Sequence, residues 1–428
     1  MQTIHSCGWH ERRVEEFHTS ASGKGMKVKL FSFFSGTGFL DLGFETAGFS
    51  ISFVNEYLPA FLDAYKFSRQ ALKLDGPEHG YYGGSITDFA ENVTLAKKLK
   101  GLVKESRRDG SLIGFIGGPP CPDFSVGGKN RGRHGENGKL SQTYSHLICE
   151  QKPDFFLFEN VKGLWLTKRH RRFYEELKSD LGDAGYKTSD KLINAVEFGV
   201  PQDRERIILV GFRDTVSERN GHSFDAMSNG FFPWSRFAKY RANEVFSKPW
   251  PTLQPFSVDS NIPMPTGVPA ELTVEYWFRM NGVEDHPNRE HCFKPRAGLA
   301  RFESVAEGDD SRKSFKRLHR WRYSPTACYG NNEVHLHPYR ARRISVAEAL
   351  AVQSLPEGFQ LPPDMSLSSM FKTVGNGVPY LAAKGLARTI QSFLQGEHDQ
   401  TDGIRHSSGD SKFAQEQGIQ LHLAENPH

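Results

Sequence analysis

A cysteine set between prolines is the sharpest chemical feature of the chain. Cys121 follows the apolar run 112–118, inside the segment Gly-Gly-Pro-Pro-Cys-Pro-Asp-Phe-Ser. The prolines fix φ and hold the thiol in one orientation, and the basic stretch 127–139 supplies cations that favour a thiolate. A cysteine taken alone is most often a small buried apolar residue. Its position at the end of a strand, with these neighbours, predicts a nucleophile instead.

A carboxylate and two guanidiniums follow Cys121 along the chain. Glu159 ends the apolar run 154–160, where burial would raise its pKa and allow it to donate a proton. In Gln-Asp-Arg-Glu-Arg (202–206), Arg204 and Arg206 point to one face of an extended segment and the acids to the other. The alternative for this segment is a surface ladder of salt bridges. Thiol, acid and guanidinium together suit addition of a thiolate to an electron-poor ring.

A glycine turn predicts a site for an adenosine-containing ligand. Ser-Gly-Thr-Gly (35–38) lies between an apolar run and a helical pattern, where glycines allow a ligand close to the backbone. Glu56 ends the next apolar run, the position of an acid that takes ribose hydroxyls. The third glycine of an ordinary dinucleotide motif is missing, because Asp41 occupies its place. This disfavours a nicotinamide oxidoreductase.

Strands and helices alternate around these residues. Apolar runs predict strands at 28–34, 51–56, 112–118, 154–160 and 206–212, and helical spacing predicts helices at 39–48, 170–185, 345–355 and 376–393. The alternation favours an α/β fold with a largely parallel sheet, whose ligands bind at the carboxyl ends of the strands. Residues 213–343 lose the alternation and contain many prolines and aromatics, which predicts a second, irregular and β-rich domain.

Composition excludes several classes of protein. The 428 residues carry 54 Lys+Arg against 50 Asp+Glu, a net charge of +4, which excludes a histone-like polycation. Residues 213–343 hold the excess, with 20 Lys/Arg against 15 Asp/Glu. Five cysteines without a Cys-Xaa-Xaa-Cys spacing disfavour disulfides and a metal site. The sequence has no long apolar run and no signal-peptide pattern, so a cytoplasmic protein without a membrane anchor is expected.

Six blocks of the sequence resemble, in the same order, those of the DNA cytosine-5 methyltransferases. The resemblance runs from Lys29 to about Leu394. The blocks are the glycine segment 33–49, Pro-Pro-Cys-Pro-Asp-Phe-Ser, Phe-Glu-Asn-Val, Gln-Asp-Arg-Glu-Arg, the segment 342–356 and Val-Gly-Asn-Gly-Val-Pro at 374–379. The resemblance implies a Rossmann-like S-adenosylmethionine-dependent methyltransferase domain with a smaller target-recognition domain.

The resemblance also implies roles for individual residues. Cys121 would attack carbon-6 of a flipped-out cytosine, and Glu159 would hydrogen-bond its ring nitrogen 3 and exocyclic amine. Arg206 would hold the carbonyl oxygen of the base, with Arg204 supporting the pocket. The catalytic set is therefore Cys121, Glu159, Arg204 and Arg206. The residues expected to bind S-adenosylmethionine are Phe34, Gly36, Gly38, Glu56, Ser85, Ile86 and Asn376.

The chain departs from the family pattern at three places. Phe39 stands where a further glycine is common, and Pro122-Asp123 replaces the commoner residues after the nucleophile. Ser85 stands where family members often have an aspartate that reaches the adenine amine, and Asp88 comes three residues too late to replace it. We expect a retained cofactor site with altered adenine contacts.

The resemblance implies double-stranded DNA as the partner of a monomeric enzyme. The recognition segment contains the run 312–322, with six Lys/Arg and no acid, for which phosphate contact and a solvated charged face are the alternatives. Candidate DNA-binding residues are Ser125, Lys129, Arg131 and Arg133 in the loop after the nucleophile, and Lys316, Arg317 and Arg320 in this run.

The expected organisation has five parts. They are an N-terminal arm (1–26), the first part of the catalytic domain (27–213), the target-recognition domain (214–340), the closing part of the catalytic domain (341–394) and a disordered tail (395–428). The single recognition segment favours the modification half of a bacterial restriction–modification pair, associated with the nucleoid, whose endonuclease acts on the same sequence. A tRNA cytosine-5 methyltransferase and a catalytically silent DNA-binding module are the alternatives.

Overall fold

A seven-stranded sheet forms the centre of the molecule in the computed structural model, which describes residues 26–120, 136–219, 231–295, 298–312, 314–329 and 333–397. The strands are β1 (Val28–Phe33), β2 (Ser50–Asn55), β3 (Tyr81–Tyr82), β4 (Leu112–Gly117), β5 (Phe155–Val161), β6 (Tyr186–Asn194) and β7 (Glu205–Arg213). Their order is β3-β2-β1-β4-β5-β7-β6. The first five are parallel, and β7 is antiparallel to both of its neighbours. The predicted Rossmann-like α/β fold with a largely parallel sheet is confirmed.

Helices cover both faces of the sheet. In chain order they are α1 (Phe39–Glu45), α2 (Pro59–Ala71), α3 (Asp88–Glu91), α4 (Val93–Ser106), α5 (Glu136–Gln151), α6 (Lys162–Leu166), α7 (Lys168–Asp183) and α8 (Asp214–Arg219). Side chains of β1 alternate between two cores: Leu30 packs with one cluster, and Phe31 and Phe33 pack with the other. Burial on both faces explains why β1 reads as an almost continuous apolar run.

The closing part of the chain returns to this sheet. Its helices are α12 (Val346–Val352), α13 (Leu367–Asn376) and α14 (Tyr380–Leu394). Helix α14 packs on α1, where Gly43 lies so close to Ala383 that no side chain fits between them. The predicted helix over 376–393 begins instead at Tyr380, because Pro379 precedes it, and Asn376 ends a separate helix that the sequence analysis missed.

The described residues between β7 and α12 are irregular and are not β-rich. After α8, the described helices of this segment are α9 (Ala242–Phe246), α10 (Val274–Met280) and α11 (Leu299–Glu303). In its described residues, extended pairing is limited to isolated bridges such as Gln254 with Glu307 and Arg317 with Leu336. The β-rich prediction is therefore wrong for this part. Prolines explain the difference, since each removes a backbone donor that a strand ladder needs.

Neither a membrane span nor a metal cluster occurs in the part of the chain that the structure describes. No helix there is both long and apolar enough to cross a bilayer. No group of three or more His, Cys, Asp or Glu side chains there is placed to hold a metal ion.

Candidate active site

A buried acid–guanidinium pair lies where β5 and β7 run side by side. Glu159 Oε1 is 3.1 Å from Arg206 Nε, and the Glu159 side chain is buried. Burial raises the pKa of Glu159, while the positive charges of Arg206 and Arg204 lower it. Two opposing effects therefore act on this carboxyl: burial favours its neutral form, and the neighbouring guanidiniums favour its charged form.

The backbone that leads to the predicted nucleophile rests on this pair. A Cβ on Gly118 would lie 2.7 Å from Glu159 Oε2, so only glycine allows this approach without displacing the carboxylate. The buried side chain of Asn160 donates from Nδ2 to the carbonyl oxygen of Pro119 at 3.5 Å. Cys121 lies outside the described residues, as do Ser125, Lys129, Arg131 and Arg133. The chain enters that segment directly beside Glu159.

Arg204 is buried and binds two backbone carbonyls. Its Nη1 donates to Ala327 O at 3.2 Å and its Nη2 to Gly375 O at 2.9 Å. Burial lowers the pKa of Arg204, and the charge of Arg206 lowers it further. Because the guanidinium is directed at these carbonyls, Arg204 joins the recognition segment to helix α13.

Gln202 strengthens the same junction. Its Oε1 accepts from Ala327 N at 3.0 Å, and its Nε2 donates to Gln353 Oε1 at 3.2 Å. Both Gln202 and Arg204 are almost completely buried, at 0% and 1% exposure. A surface ladder of salt bridges is therefore excluded for these two residues.

The glycine loop after β1 is held by Glu56 from β2. Glu56 Oε2 accepts from Gly36 N at 2.8 Å, and Oε1 accepts from Leu58 N at 2.8 Å. Gly36 has φ 56° and Gly38 φ 88°, a region that favours glycine. Burial raises the pKa of Glu56 although both amides lower it. Ser35 Oγ is buried without a hydrogen-bond partner among the described residues, which leaves a polar atom available to a ligand.

Asp41 supports the glycine loop from below. It accepts from Ser32 Oγ at 2.7 Å and from Tyr65 OH at 2.8 Å. Burial raises the pKa of Asp41 to about 6, even though both hydrogen bonds lower it. The Tyr65 ring lies against Gly38, where a Cβ would be 2.7 Å from the ring. In the sequence, Asp41 stands out only as the residue in place of a third glycine. Its supporting role depends on Ser32 and Tyr65, which only the fold brings to it.

The other predicted cofactor residues lie at the neighbouring loops. Phe34 has φ 54° and is half-buried, with its ring edge-on to Tyr144 at 6.0 Å. Ile86 is buried, and Asn376 is exposed at the end of α13. Thr37 Oγ1 and Thr373 Oγ1 are 3.2 Å apart, which ties the glycine loop to α13.

In the loop after β3, Ser85 and Asp88 both form hydrogen bonds with neighbouring residues. Ser85 Oγ lies 2.8 Å from Thr87 Oγ1 and accepts from Thr87 N at 3.2 Å. Asp88 accepts from Tyr82 OH at 2.7 Å. Both side chains thus have local partners in this loop. An exposed aromatic ring that the sequence analysis missed, Tyr57 at 64% exposure, follows Glu56 directly.

Two candidate DNA-binding residues of the recognition segment have structural roles instead. Arg317 is fully buried and donates from Nε to Val305 O at 2.8 Å. Arg320 forms a bidentate salt bridge with the buried Glu307. Its Nε donates to Oε1 and its Nη2 donates to Oε2, each at 2.8 Å. Phosphate contact by Arg317 and Arg320 is therefore wrong, because protein groups already occupy both guanidiniums. Lys316 is half-buried and stays a prediction.

The fold and this edge of the sheet define an α/β protein with a glycine loop after β1 and a buried acid–guanidinium pair. A family model for C-5 cytosine-specific DNA methylases matches residues 28–392. The type II methyltransferase M.NmeDI of Neisseria meningitidis serogroup C is 56% identical over 377 residues, 88% of this chain and 86% of that protein. M.FnuDI of Fusobacterium nucleatum is 29% identical over 377 residues, 85% and 95% of the two chains.

Solved structures show the same fold. A DNA modification methyltransferase encoded within an E. coli prophage superposes with a TM-score of 0.58 at 19% identity, covering 86% of this chain and 99% of that one. Spodoptera frugiperda DNMT2 gives 0.52 at 14% identity, covering 85% and 99%. The present chain belongs to the C-5 cytosine-specific DNA methylase family. It is a DNA cytosine-5 methyltransferase of the type II restriction–modification kind.

Proposed function

We propose that the enzyme methylates carbon-5 of a flipped-out cytosine through a covalent adduct with Cys121. The thiolate of Cys121 adds to carbon-6 and makes carbon-5 nucleophilic. After methyl transfer, loss of the carbon-5 proton expels the thiolate and restores the ring. The base cannot react inside the duplex stack, so it must leave the helix at a cost of a few kcal/mol.

Glu159 and Arg206 hold the base during this reaction. Glu159 hydrogen-bonds ring nitrogen 3 and the exocyclic amine, and Arg206 holds the carbonyl oxygen. The contact of 3.1 Å between these side chains supports this assignment most directly, because it places an acid and a cation for adjacent polar atoms of one ring. Arg204 acts as a positioning residue through Ala327 and Gly375.

The cofactor site lies at the carboxyl ends of β1, β2 and β3. S-adenosylmethionine, when bound, supplies an electrophilic methyl group on its sulfonium. Glu56 binds the ribose hydroxyls, and the loop containing Gly36 and Gly38 admits the cofactor close to the backbone. Phe34, Ser85, Ile86 and Asn376 line the remainder. The buried Ser35 Oγ and the exposed Tyr57 ring fit such a ligand, the ring as a stacking face.

The proposed functions are divided between the two predicted domains of the chain. We assign methyl transfer to 27–213 with 341–394 and recognition of a specific duplex sequence to 214–340, in a monomer. Methylation of that sequence protects host DNA from a restriction endonuclease that acts on the same site and need not bind this protein.

Product analysis tests the reaction. The enzyme is incubated with methyl-labelled S-adenosylmethionine and, in separate reactions, either duplex DNA or tRNA, and the hydrolysed product is examined for 5-methylcytosine. Label on carbon-5 of cytosine in DNA is expected, and 5-fluorocytosine DNA is expected to trap the protein covalently because the proton needed for release is missing. Label on tRNA alone would overturn the assignment of the substrate.

A further inference from the structure

A basic surface with no assigned role lies at the start of helix α7. Residues 162–174 contain five Lys/Arg and no acid. We call the set Lys162, Lys168, Arg171 and Arg172 the 162–172 surface. Arg172 has 85% of its side chain exposed, and Lys162 has 50% exposed.

The order of charged residues along helix α7 is unfavourable for the stability of this helix. Within α7, Lys168, Arg169, Arg171 and Arg172 come first, whereas Glu175, Glu176, Asp180 and Asp183 come later. The helix dipole favours acids at the start and cations at the end. Such an inverted arrangement weakens the start of the helix, and local rules broken at a cost in stability are often found at functional surfaces.

The 162–172 surface lies beside the reacting centre. Strand β5, which carries Glu159, ends at Val161, and Lys162 follows at once. Lys162 Nζ is 2.6 Å from Glu205 Oε2, and Glu205 precedes Arg206. The surface therefore occupies the same edge of the sheet as the pair that holds the base.

The ion pairs of Arg171 and Arg172 can be replaced by phosphate contacts at little cost in free energy. Arg171 Nε is 2.6 Å from Glu175 Oε1 and Arg172 Nε is 3.1 Å from Glu176 Oε1, each one helical turn apart and solvent-exposed. Exposed pairs of this kind contribute little, so a phosphate can take over the cations. Arg171 also lies over the Trp165 ring at 4.7 Å, which holds its guanidinium at the surface.

We propose that the 162–172 surface binds the phosphate backbone of duplex DNA next to the flipped nucleotide. This inference rests on the proposed function. A nucleotide that leaves the stack stays attached to its neighbours, so backbone phosphates must lie close to the Glu159–Arg206 pair. The cations of the surface are the complement of those phosphates and anchor the strand while the base is held.

Salt-dependent binding tests the inference with the full chain. Affinity for a mixed-sequence duplex is measured by fluorescence anisotropy over a range of salt concentrations, for the wild type and for Lys168→Ala/Arg172→Ala. Each lost phosphate contact makes the slope of log affinity against log salt less steep by about 0.9, so a change of about 1.8 is expected. The matched control is Lys104→Ala/Arg108→Ala, two exposed cations that precede the amino end of β4. The control is expected to keep the wild-type slope.

Two further readouts separate binding from folding. The DNA KM of the double variant is expected to rise while kcat and the cofactor KM stay unchanged, because neither residue touches reacting atoms. Its thermal midpoint is expected to equal or exceed that of the wild type, since cations leave the positive end of a helix dipole.

Two results would overturn the inference. The first is a double variant with the wild-type slope, and the second is an equal change of slope in the control variant. A wild type that methylates no DNA would instead overturn the proposed function, and this inference with it.

Discussion

Replacing Arg204 by Met is expected to destabilise the junction between the recognition segment and helix α13. The substitution keeps an unbranched side chain but removes both donors, to Ala327 O at 3.2 Å and to Gly375 O at 2.9 Å. A buried acceptor left without a donor costs about 1–3 kcal/mol. Two such acceptors cost roughly 2–6 kcal/mol of unfolding free energy. Part of this cost is offset because the variant no longer buries a cation. We expect a net loss of about 2–4 kcal/mol.

Urea unfolding followed by circular dichroism measures this loss. A matched control is Arg213→Met, at the opposite end of β7 and half-exposed, which is expected to change the free energy of unfolding by less than about 0.5 kcal/mol. Arg204→Lys is expected to be intermediate, because one ammonium can serve only one of the two carbonyls well.

Binding measurements on the same variants test the positioning role. Because Gly375 precedes Asn376 and Ala327 belongs to the recognition segment, Arg204→Met is expected to weaken binding of both S-adenosylmethionine and DNA. An Arg204→Met protein with unchanged unfolding free energy and unchanged affinity for the cofactor would refute the reasoning.

Three other changes have defined outcomes. Glu159→Gln retains hydrogen bonding but not the exchangeable charge, so kcat is expected to fall by about 100-fold or more; a wild-type kcat at saturating DNA would contradict the role of Glu159. Gly118→Ala places a Cβ 2.7 Å from Glu159 Oε2 and is expected to lower kcat, whereas Gly182→Ala, with nothing within 4 Å, is expected to leave kcat unchanged. Equal kcat values for the two alanine variants would count against the close approach of Gly118. Asp41→Asn tests the pKa of Asp41, which burial raises from 3.8 to about 6. The contribution of Asp41 to stability is present below about pH 4 and lost as pH rises through 6, by about 3 kcal/mol. The unfolding free energy of Asp41→Asn relative to wild type is therefore expected to increase between pH 4 and 7, and a constant difference would refute this.

The features that could be predicted from sequence are those with a local cause. Strand β1 is apolar because both of its faces are buried, and the glycine loop needs the left-handed backbone of Gly36 and Gly38. Glu56 and Glu159 each end an apolar run, so their place at the edge of the sheet followed from topology. Strand β6 escaped prediction because it lies at the edge of the sheet, where its Tyr-Lys-Thr-Ser-Asp-Lys sequence carries little apolar pattern.

The structural roles of individual arginines could not be predicted, because these roles depend on binding partners that the sequence alone does not identify. Arg204 binds a carbonyl 171 residues away, and Arg320 pairs with Glu307, which is itself buried. Charge alone favoured phosphate contact for Arg317 and Arg320. Once folded, both cations hold the recognition segment together, so the cations available to DNA must be sought on exposed surfaces.

Methyl transfer by the Cys121→Ser variant tests the central claim most directly. The wild type and the variant are incubated with labelled S-adenosylmethionine and duplex DNA, and 5-methylcytosine is quantified. The covalent mechanism predicts label on carbon-5 of cytosine with the wild type and none with Cys121→Ser. Transfer that survives the loss of this thiol would contradict the mechanism.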